Sequence, residues 1–190
     1  MTAIPTDEAL MRQFQAGDRS AFAVLVERHR VHAIHFCQRM LRDPDEAEDM
    51  AQEGFARILL HPERWAGRSR FTTYLFAILK NLCLDELRWR SRWASPSPLE
   101  AVTETPDPGP TPEEAVALRL ERERVAAALD RLSPDQKAAL VLREYHGLSY
   151  EEIATVMDWS EAKTKIVIYR ARLALGQRLR DEGGSEHAAR

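Results

Sequence analysis

The stretch LSYEEIATVMDWSEAKTKIVIYRARLAL, at residues 148–175, decides the fold of the second half of this chain. Ser149 and Glu152 match a capping box, in which a serine and a glutamate three residues later satisfy the free N–H groups at a helix start. The apolar spacing that follows predicts a short helix, a turn at 158–160 and a longer helix at about 161–179. Two helices joined by so short a turn form a helix-turn-helix.

The longer of these two helices has one apolar face and one polar face. Its inward residues recur at i, i+4, i+7 and i+11, as expected for helix packing, and are Thr164, Ile168, Ala171 and Leu175. The residues that face outward or can reach phosphates and base edges are Lys163, Lys165, Ile166, Tyr169, Arg170 and Arg172. This pattern predicts DNA binding; the alternative is a solvated basic face on an ordinary helical hairpin.

A proline-rich segment divides the chain. Six of the ten prolines fall within residues 96–112, among serine, threonine, glycine and acidic residues. A segment with so few large apolar residues cannot bury enough surface to offset the entropy lost on ordering. We therefore expect a flexible linker at 94–112 between a unit at 1–93 and a unit at 113–182, with a disordered tail at 183–190.

Both units have helical spacing and no alternating strand pattern, so the predicted fold class is all-α. In the first unit, Asp43 followed by Pro44 and Glu46 predicts a helix start, because an acidic cap and a proline at the first helical position favour one. A loop at 61–70 precedes another predicted helix that begins near Phe71. In the second unit, further helices are predicted at about 112–132 and from the capping box at 133–136 to Gly147.

Charge is segregated along the chain although the net charge is only −3. Residues 43–53 hold six acidic groups and no basic one, whereas residues 161–180 hold six basic groups and one acidic group. Separate acidic and basic surfaces predict contacts with both a basic protein and DNA. No carboxylate pair, glycine-rich phosphate loop or nucleophile arrangement is present, so neither an enzyme nor a cofactor is expected.

The sequence also favours a cytoplasmic protein. No run of about 18 apolar residues predicts a membrane span, and the N-terminal residues lack the basic and apolar regions of a signal peptide. Cys37 and Cys83 lie in apolar helical patterns and are expected to be reduced, buried thiols.

Three histidines, His29, His32 and His35, recur every three residues close to Cys37. One interpretation is a zinc site. A spacing of three spreads the rings over roughly a third of the helix circumference, so that only neighbours could share a metal ion. A plain helix surface is therefore the favoured interpretation, and no metal site is expected.

Three motifs follow one another along the chain. The first is Asp49-Met50-Ala51-Gln52-Glu53, and the second is Phe71-Thr72-Thr73-Tyr74-Leu75 followed by Ile78-Leu79-Lys80-Asn81. The third is Gly147-Leu148-Ser149-Tyr150-Glu151-Glu152-Ile153-Ala154, followed by Tyr169-Arg170-Ala171-Arg172. In this order they resemble region 2.2, regions 2.3–2.4 and region 4 of the extracytoplasmic-function (ECF) sigma factors of the sigma-70 family. The resemblance covers both units and implies a region 2 helical bundle joined to a region 4 helix-turn-helix.

The resemblance implies three partners: core RNA polymerase, promoter DNA and an anti-sigma factor, which in this family is often membrane-anchored. Asp49, Gln52 and Glu53 would contact the clamp coiled coil of the largest polymerase subunit. The acidic character of this surface agrees, because it suits a basic partner. The alternative is a solvated face with acids that favour the helix dipole.

The resemblance also implies that the loop from Trp65 to Phe71 holds a base extruded from the −10 promoter element, with Asn81 lining the site. Stacking and hydrogen bonds in such a pocket would offset the cost of extruding the base. The residues assigned to −10 DNA are Trp65, Arg68, Arg70, Phe71, Tyr74, Phe76, Lys80, Asn81 and Arg88. Core packing is the alternative for Trp65 and Tyr74.

The −35 element would be read by the outward residues of the last helix, and here the chain departs from the family pattern. Tyr74 stands where the family usually has tryptophan, and Asp158 replaces the usual turn glycine. Ile166 and Val167 stand where serine and arginine are common. These changes predict an unusual or shape-based −35 preference, in which Ile166 can contact a thymine methyl group.

Two other functions remain open from the sequence. One is a stand-alone helix-turn-helix regulator that binds duplex DNA as a dimer, which the linker and the motifs of the first unit disfavour. The other is an enzyme acting on nucleic acid, which no feature of the sequence supports.

Overall fold

The computed structural model describes residues 4–93 and 112–187, with side chains described over 4–92 and 116–180. Within these ranges the chain forms eight α-helices and one 3-10 turn and no strand, which confirms the all-α prediction. The predicted linker, apart from Pro112, lies outside the described residues.

The first unit is a helical bundle built around one long helix. Its elements are α1 Asp7–Gln15, α2 Arg19–Leu41, α3 Pro44–Leu60, the 3-10 turn Pro62–Arg64 and α4 Phe71–Trp93. The start of α3 is as predicted, because the Asp43 carboxylate accepts a hydrogen bond from the Glu46 backbone N–H at 3.0 Å. The sequence analysis did not identify α1. A nine-residue helix is marginal alone and depends on burying Met11 and Phe14.

Helices α3 and α4 approach each other closely at Gly54. A Cβ atom at this position would lie 2.6 Å from Cδ2 of Leu79, which is fully buried on α4. Only a residue without a side chain allows this spacing between the two backbones. Gly54 thereby fixes the acidic helix relative to the helix that carries the second motif.

The second unit contains α5 Pro112–Asp130, α6 Pro134–Glu144, α7 Tyr150–Met157 and α8 Glu161–His187. Both predicted capping boxes are formed, Ser133 with Gln136 and Ser149 with Glu152. Local side-chain chemistry therefore sets the starts of α6 and α7, as predicted.

Two predicted helix ends are wrong. Helix α6 ends at Glu144 rather than Gly147, and Gly147 adopts a φ of 66° that turns the chain toward α7. Helix α8 continues to His187 instead of ending near Leu179, so residues 183–187 are helical rather than part of a disordered tail. Glycines 183 and 184 suggested an end, but a glycine costs a helix only about 1 kcal/mol and no proline follows.

The two units pack against each other. Helix α7 lies on α4 and helix α6 lies on α2. Buried side chains of both units belong to one continuous hydrophobic cluster. This contact decides which faces of α4 remain open to solvent.

Gly147 and Asp158 (φ 54°) both have left-handed backbone. A residue with a Cβ atom pays roughly 1–2 kcal/mol there. We expect Gly147→Ala to lower the free energy of unfolding by about 1 kcal/mol, because no described atom lies within 4 Å of the added Cβ and backbone strain acts alone. Asp158→Gly is expected to raise it by less, because glycine is also more flexible when unfolded. Urea unfolding of both variants measures the difference, and an unchanged Gly147→Ala would contradict this account.

Candidate nucleic-acid interface

Helix α8 presents the predicted residues outward. Thr164, Ile168 and Ala171 are fully buried, whereas 51% of Ile166 and 63% of Tyr169 is exposed. Lys163, Lys165, Arg170 and Arg172 are exposed as well. The predicted helical register of α8 is confirmed, and its outer face combines cations with two large apolar groups.

Three of the cations on this face have partners within the protein. Lys165 pairs with Glu161 at 2.6 Å, and this hydrogen bond raises the pKa of Lys165. Arg172 donates from Nε and Nη2 to Glu144 at 2.8 and 2.6 Å, which raises its pKa. The Lys163 ammonium lies 4.4 Å from the centre of the Trp159 ring. These contacts hold the side chains close to the helix, and DNA phosphates would have to compete with them.

The turn between α7 and α8 positions this face. Asp158 ends α7 in a left-handed conformation, which aspartate tolerates better than most residues other than glycine. Ser160 caps α8, since its Oγ accepts from the Lys163 N–H at 3.2 Å. The sequence analysis treated Ser160 only as a turn residue. A serine three residues before the first lysine was the available signal for this cap.

The loop between α3 and α4 is held by residues that the sequence analysis assigned to DNA. Only 3% of Trp65 is exposed, and its indole N–H donates to the Ser69 carbonyl at 3.2 Å. Phe71 is fully buried, and its backbone N–H donates to Glu8 at 3.2 Å. These two rings shape the loop and do not offer a stacking surface to a base in this conformation.

Gln15 also shapes the loop and was missed from the sequence. Its side-chain amide donates to the carbonyls of Pro62 and Trp65, both at 2.8 Å. These contacts join positions 47 and 50 residues apart. No local pattern could have indicated them, because the partners meet only through the packing of α1 against the loop.

The remaining residues assigned to −10 DNA do not share one open surface. Arg68, Asn81 and Arg88 are exposed, and Arg88 pairs with Asp85 at 2.8 Å. Tyr74 is partly buried, and burial raises the pKa of its phenol. The other three face the second unit: Arg70, Phe76 and Lys80.

The acidic helix α3 exposes the predicted residues. Asp49, Gln52 and Glu53 are all open to solvent, whereas Ala51 between them is buried. Glu53 pairs with Arg57 at 2.8 Å, and both side chains are about half exposed. The structure therefore brings the three side chains to one outer face of α3, away from the core.

The histidine run of α2 is divided among different neighbours. His29 contacts Asp7 at 2.7 Å, whereas the His32 ring lies 6.2 Å from that of His146. Over the described side chains no group of three histidine, cysteine or acidic residues is arranged to hold a metal ion. In the part of the chain that the structure describes, no helix is both long and apolar enough to cross a membrane.

A basic helix-turn-helix and a separate helical bundle with an acidic face define a two-unit DNA-binding protein. The family follows from sequence comparison. Residues 25–93 match the family model for sigma-70 region 2, and residues 122–175 match the model for sigma-70, region 4. The chain belongs to the sigma-70 family of RNA polymerase sigma factors, in its ECF group.

Relatives and solved structures agree over nearly the whole chain. The RNA polymerase sigma-H factor of Pseudomonas aeruginosa is 34% identical over 180 residues, 91% of this chain and 93% of that protein. The ECF RNA polymerase sigma-E factor of Escherichia coli K12 is 30% identical over 181 residues, 92% of this chain and 94% of its own.

Two solved structures share the fold. CnrH in complex with the cytosolic domain of CnrY has a TM-score of 0.71 and 25% identity, covering 92% of this chain and 97% of that one. The sigma factor RpoE in complex with the anti-sigma factor NepR from Bartonella quintana has a TM-score of 0.69 and 22% identity. It covers 84% of this chain and 96% of that one.

The two faces of α8 predict opposite effects for one substitution. Ile168→Ala is expected to lower the free energy of unfolding by about 2–5 kcal/mol, because it leaves a cavity in the core. Ile166→Ala, two residues away on the outer face, is expected to change it by less than about 0.5 kcal/mol. Chemical denaturation measures both variants. Similar losses from the two would show that the register of α8 is misplaced.

Proposed function

We propose that this chain binds core RNA polymerase, directs it to promoters by reading the −35 and −10 elements with separate units, and opens the DNA at −10. The proposal rests on one combination, an outward recognition helix on α8 together with an exposed acidic face on α3, in the order of the two sigma-70 regions. Run-off transcription with core polymerase on host genomic templates tests it. We expect promoter-dependent products, and their absence on every template would refute it.

Polymerase binding is assigned to Asp49, Gln52 and Glu53. Their spacing of three and four residues places them on one face of a helix, and all three are exposed. An acidic face steers and orients a basic partner, such as the clamp coiled coil of the largest polymerase subunit. Arg57 holds the Glu53 carboxylate in place at 2.8 Å, which reduces the entropy lost when it binds a partner.

The −10 element is assigned to the α3–α4 loop and the outer face of α4. The inner residues Trp65 and Phe71 make the loop rigid, and rigid supports favour a site that has to capture one base. Exposed Asn81 can hydrogen-bond an extruded base, and Arg68 and Arg88 can neutralise phosphates. In this assignment Trp65 and Phe71 act as supports of the pocket.

The −35 element is assigned to the outer face of α8. Lys163, Lys165, Arg170 and Arg172 can contact phosphates or base edges, and the exposed Ile166 and Tyr169 give apolar contact in the groove. An isoleucine cannot hydrogen-bond a base. The proposed −35 preference therefore depends on thymine methyl groups and DNA shape.

We also assign an anti-sigma factor, membrane-anchored, as the regulatory partner. CnrH, which is 25% identical and matches 92% of this chain, was solved in complex with the cytosolic domain of CnrY. A partner of this kind would cover the acidic face of α3 and the DNA faces. A pull-down from the native host that recovers polymerase but no small partner would argue against it.

The double variant Asp49→Lys and Glu53→Lys is expected to weaken binding to core polymerase by about 100-fold or more, because like charges across an interface cost several kcal/mol. Both side chains are exposed, so helicity and thermal unfolding should stay close to wild type. Fluorescence anisotropy with labelled protein measures the affinity. Glu27→Lys, on an exposed position of α2, is the charge control. Wild-type affinity of the double variant would remove this face from the interface.

Arg170→Ala is expected to reduce transcription from a −35-containing promoter by about tenfold, in line with the 1–3 kcal/mol of a side-chain contact to a base. It should have little effect once the −35 element is deleted. Arg180→Ala, at an exposed position of α8 beyond the helix-turn-helix, controls for loss of one positive charge. Equal losses with and without the −35 element would contradict the placement of α8 in the groove.

A further inference from the structure

We propose that the free chain masks its own −10 face: α6, α7 and the segment between them close over α4, and DNA must displace them. The masking rests on the −10 assignment made above, whereas the closure itself stands on contacts within the structure. Three kinds of contact join the units, a buried ammonium, an aromatic pocket and a set of opposed charges.

The buried ammonium belongs to Lys137 of α6. Only 5% of this residue is exposed, and its Nζ donates to the Met40 carbonyl at 2.9 Å and to Asp130 at 2.5 Å. Arg42 of the first unit reaches the same carboxylate at 2.6 Å. Burial lowers the pKa of Lys137, and Asp130 opposes this shift. A buried charge is tolerated when it is paired, and here the pairing uses groups from both units.

The aromatic pocket receives His146, which follows α6. Its ring lies 4.6 Å from the ring of Phe76 on α4 and 5.9 Å from that of Phe36 on α2. Next to it, the Arg39 guanidinium lies 4.0 Å from the centre of the Tyr145 ring. His146 thus inserts between two helices of the first unit and covers Phe76, a residue assigned to −10 DNA.

The opposed charges occupy the rest of the −10 face. Arg70 pairs with Glu152 of α7 at 3.3 Å. Lys80 is partly buried; burial lowers its pKa, while the negative charges of Asp135 and Asp158 act against this. The carboxylates of the second unit thus face the cations assigned to −10 phosphates. Closure and DNA binding use the same cations, so the two states exclude each other.

Closure also requires a neutral imidazole. Burial first, and then the nearby Arg39, His32 and His35 of α2, lower the pKa of His146 to about 3, from an ordinary value of 6.5; α4 faces it with the uncharged Phe76. A group whose pKa falls on closing stabilises the closed form above its open-state pKa. Closure is therefore favoured above pH 6.5 and is progressively opposed as the pH falls below it.

Lysine acetylation of the intact chain tests closure, because the sequence has only four lysines. Lys137 and Lys80 lie at the interface, whereas Lys163 and Lys165 are exposed on α8 and serve as internal references. Timed reaction with an N-hydroxysuccinimide acetate, read by peptide mass spectrometry, gives each rate. We expect Lys137 to react about tenfold or more slowly than Lys163, as for a minor open state of 10% or less. Equal rates in the wild-type chain would overturn the proposal.

His146→Arg places a charge in the pocket and should bring the Lys137 rate close to that of Lys163. Asp135→Arg, at an exposed position facing Lys80, should act in the same direction, and it serves if His146→Arg fails to fold by circular dichroism. His61→Arg, on the exposed loop, adds the same charge elsewhere and should leave Lys137 protected. Protection of Lys137 that persists in a folded His146→Arg or Asp135→Arg chain would overturn the proposal.

Binding of a fluorescent single-stranded DNA of mixed sequence tests the masking separately. An opened variant should bind it more tightly than the wild-type chain, and the His61→Arg control should not. Unchanged DNA binding by an opened variant would overturn the masking. A chain that closes by lysine mapping but yields no promoter-dependent transcript would instead contradict the proposed function.

Discussion

The burial of Lys137 between the Met40 carbonyl and Asp130 is the contact on which the arrangement of the two units depends. An ammonium removed from water is tolerated only with charged and hydrogen-bonding partners around it, and here they come from both sides of the interface. Separating the units hydrates the ammonium again and releases Arg42 from Asp130. The interface can therefore be stable and still open, because its polar groups regain water when its apolar groups are exposed.

A helix that reads DNA has to bury one face completely and leave the other unoccupied. Helix α8 meets this demand with small and branched residues inside, Thr164, Ile168 and Ala171, and with Ile166 and Tyr169 outside. The exposed apolar residues cost little in free energy where they are scattered singly. In a groove they replace hydrogen-bond readout by contact with thymine methyl groups, so the departure from the family pattern changes selectivity rather than fold.

Local chemistry made much of the fold predictable. The capping boxes at Ser133 and Ser149 and the proline after Asp43 act within three residues, and each begins a helix where expected. The periodicity of α8 assigned its buried face correctly because one helix period decides it. The end of α8 and the existence of α1 were not predictable in this way. A glycine pair weakens a helix without ending it, and α1 depends on packing against distant residues.

The sequence by itself therefore determined the helices, the recognition face of α8 and the family, because each depends on neighbouring residues or on ordered motifs. Only the tertiary structure decided the state of the −10 residues. Trp65 and Phe71 lie inside the bundle as supports, and Phe76 and Lys80 face the second unit. These positions meet partners many tens of residues away, as Lys137 does with Met40 at a separation of 97. Such contacts follow from how α4 packs between its neighbours, a geometry that no local pattern contains.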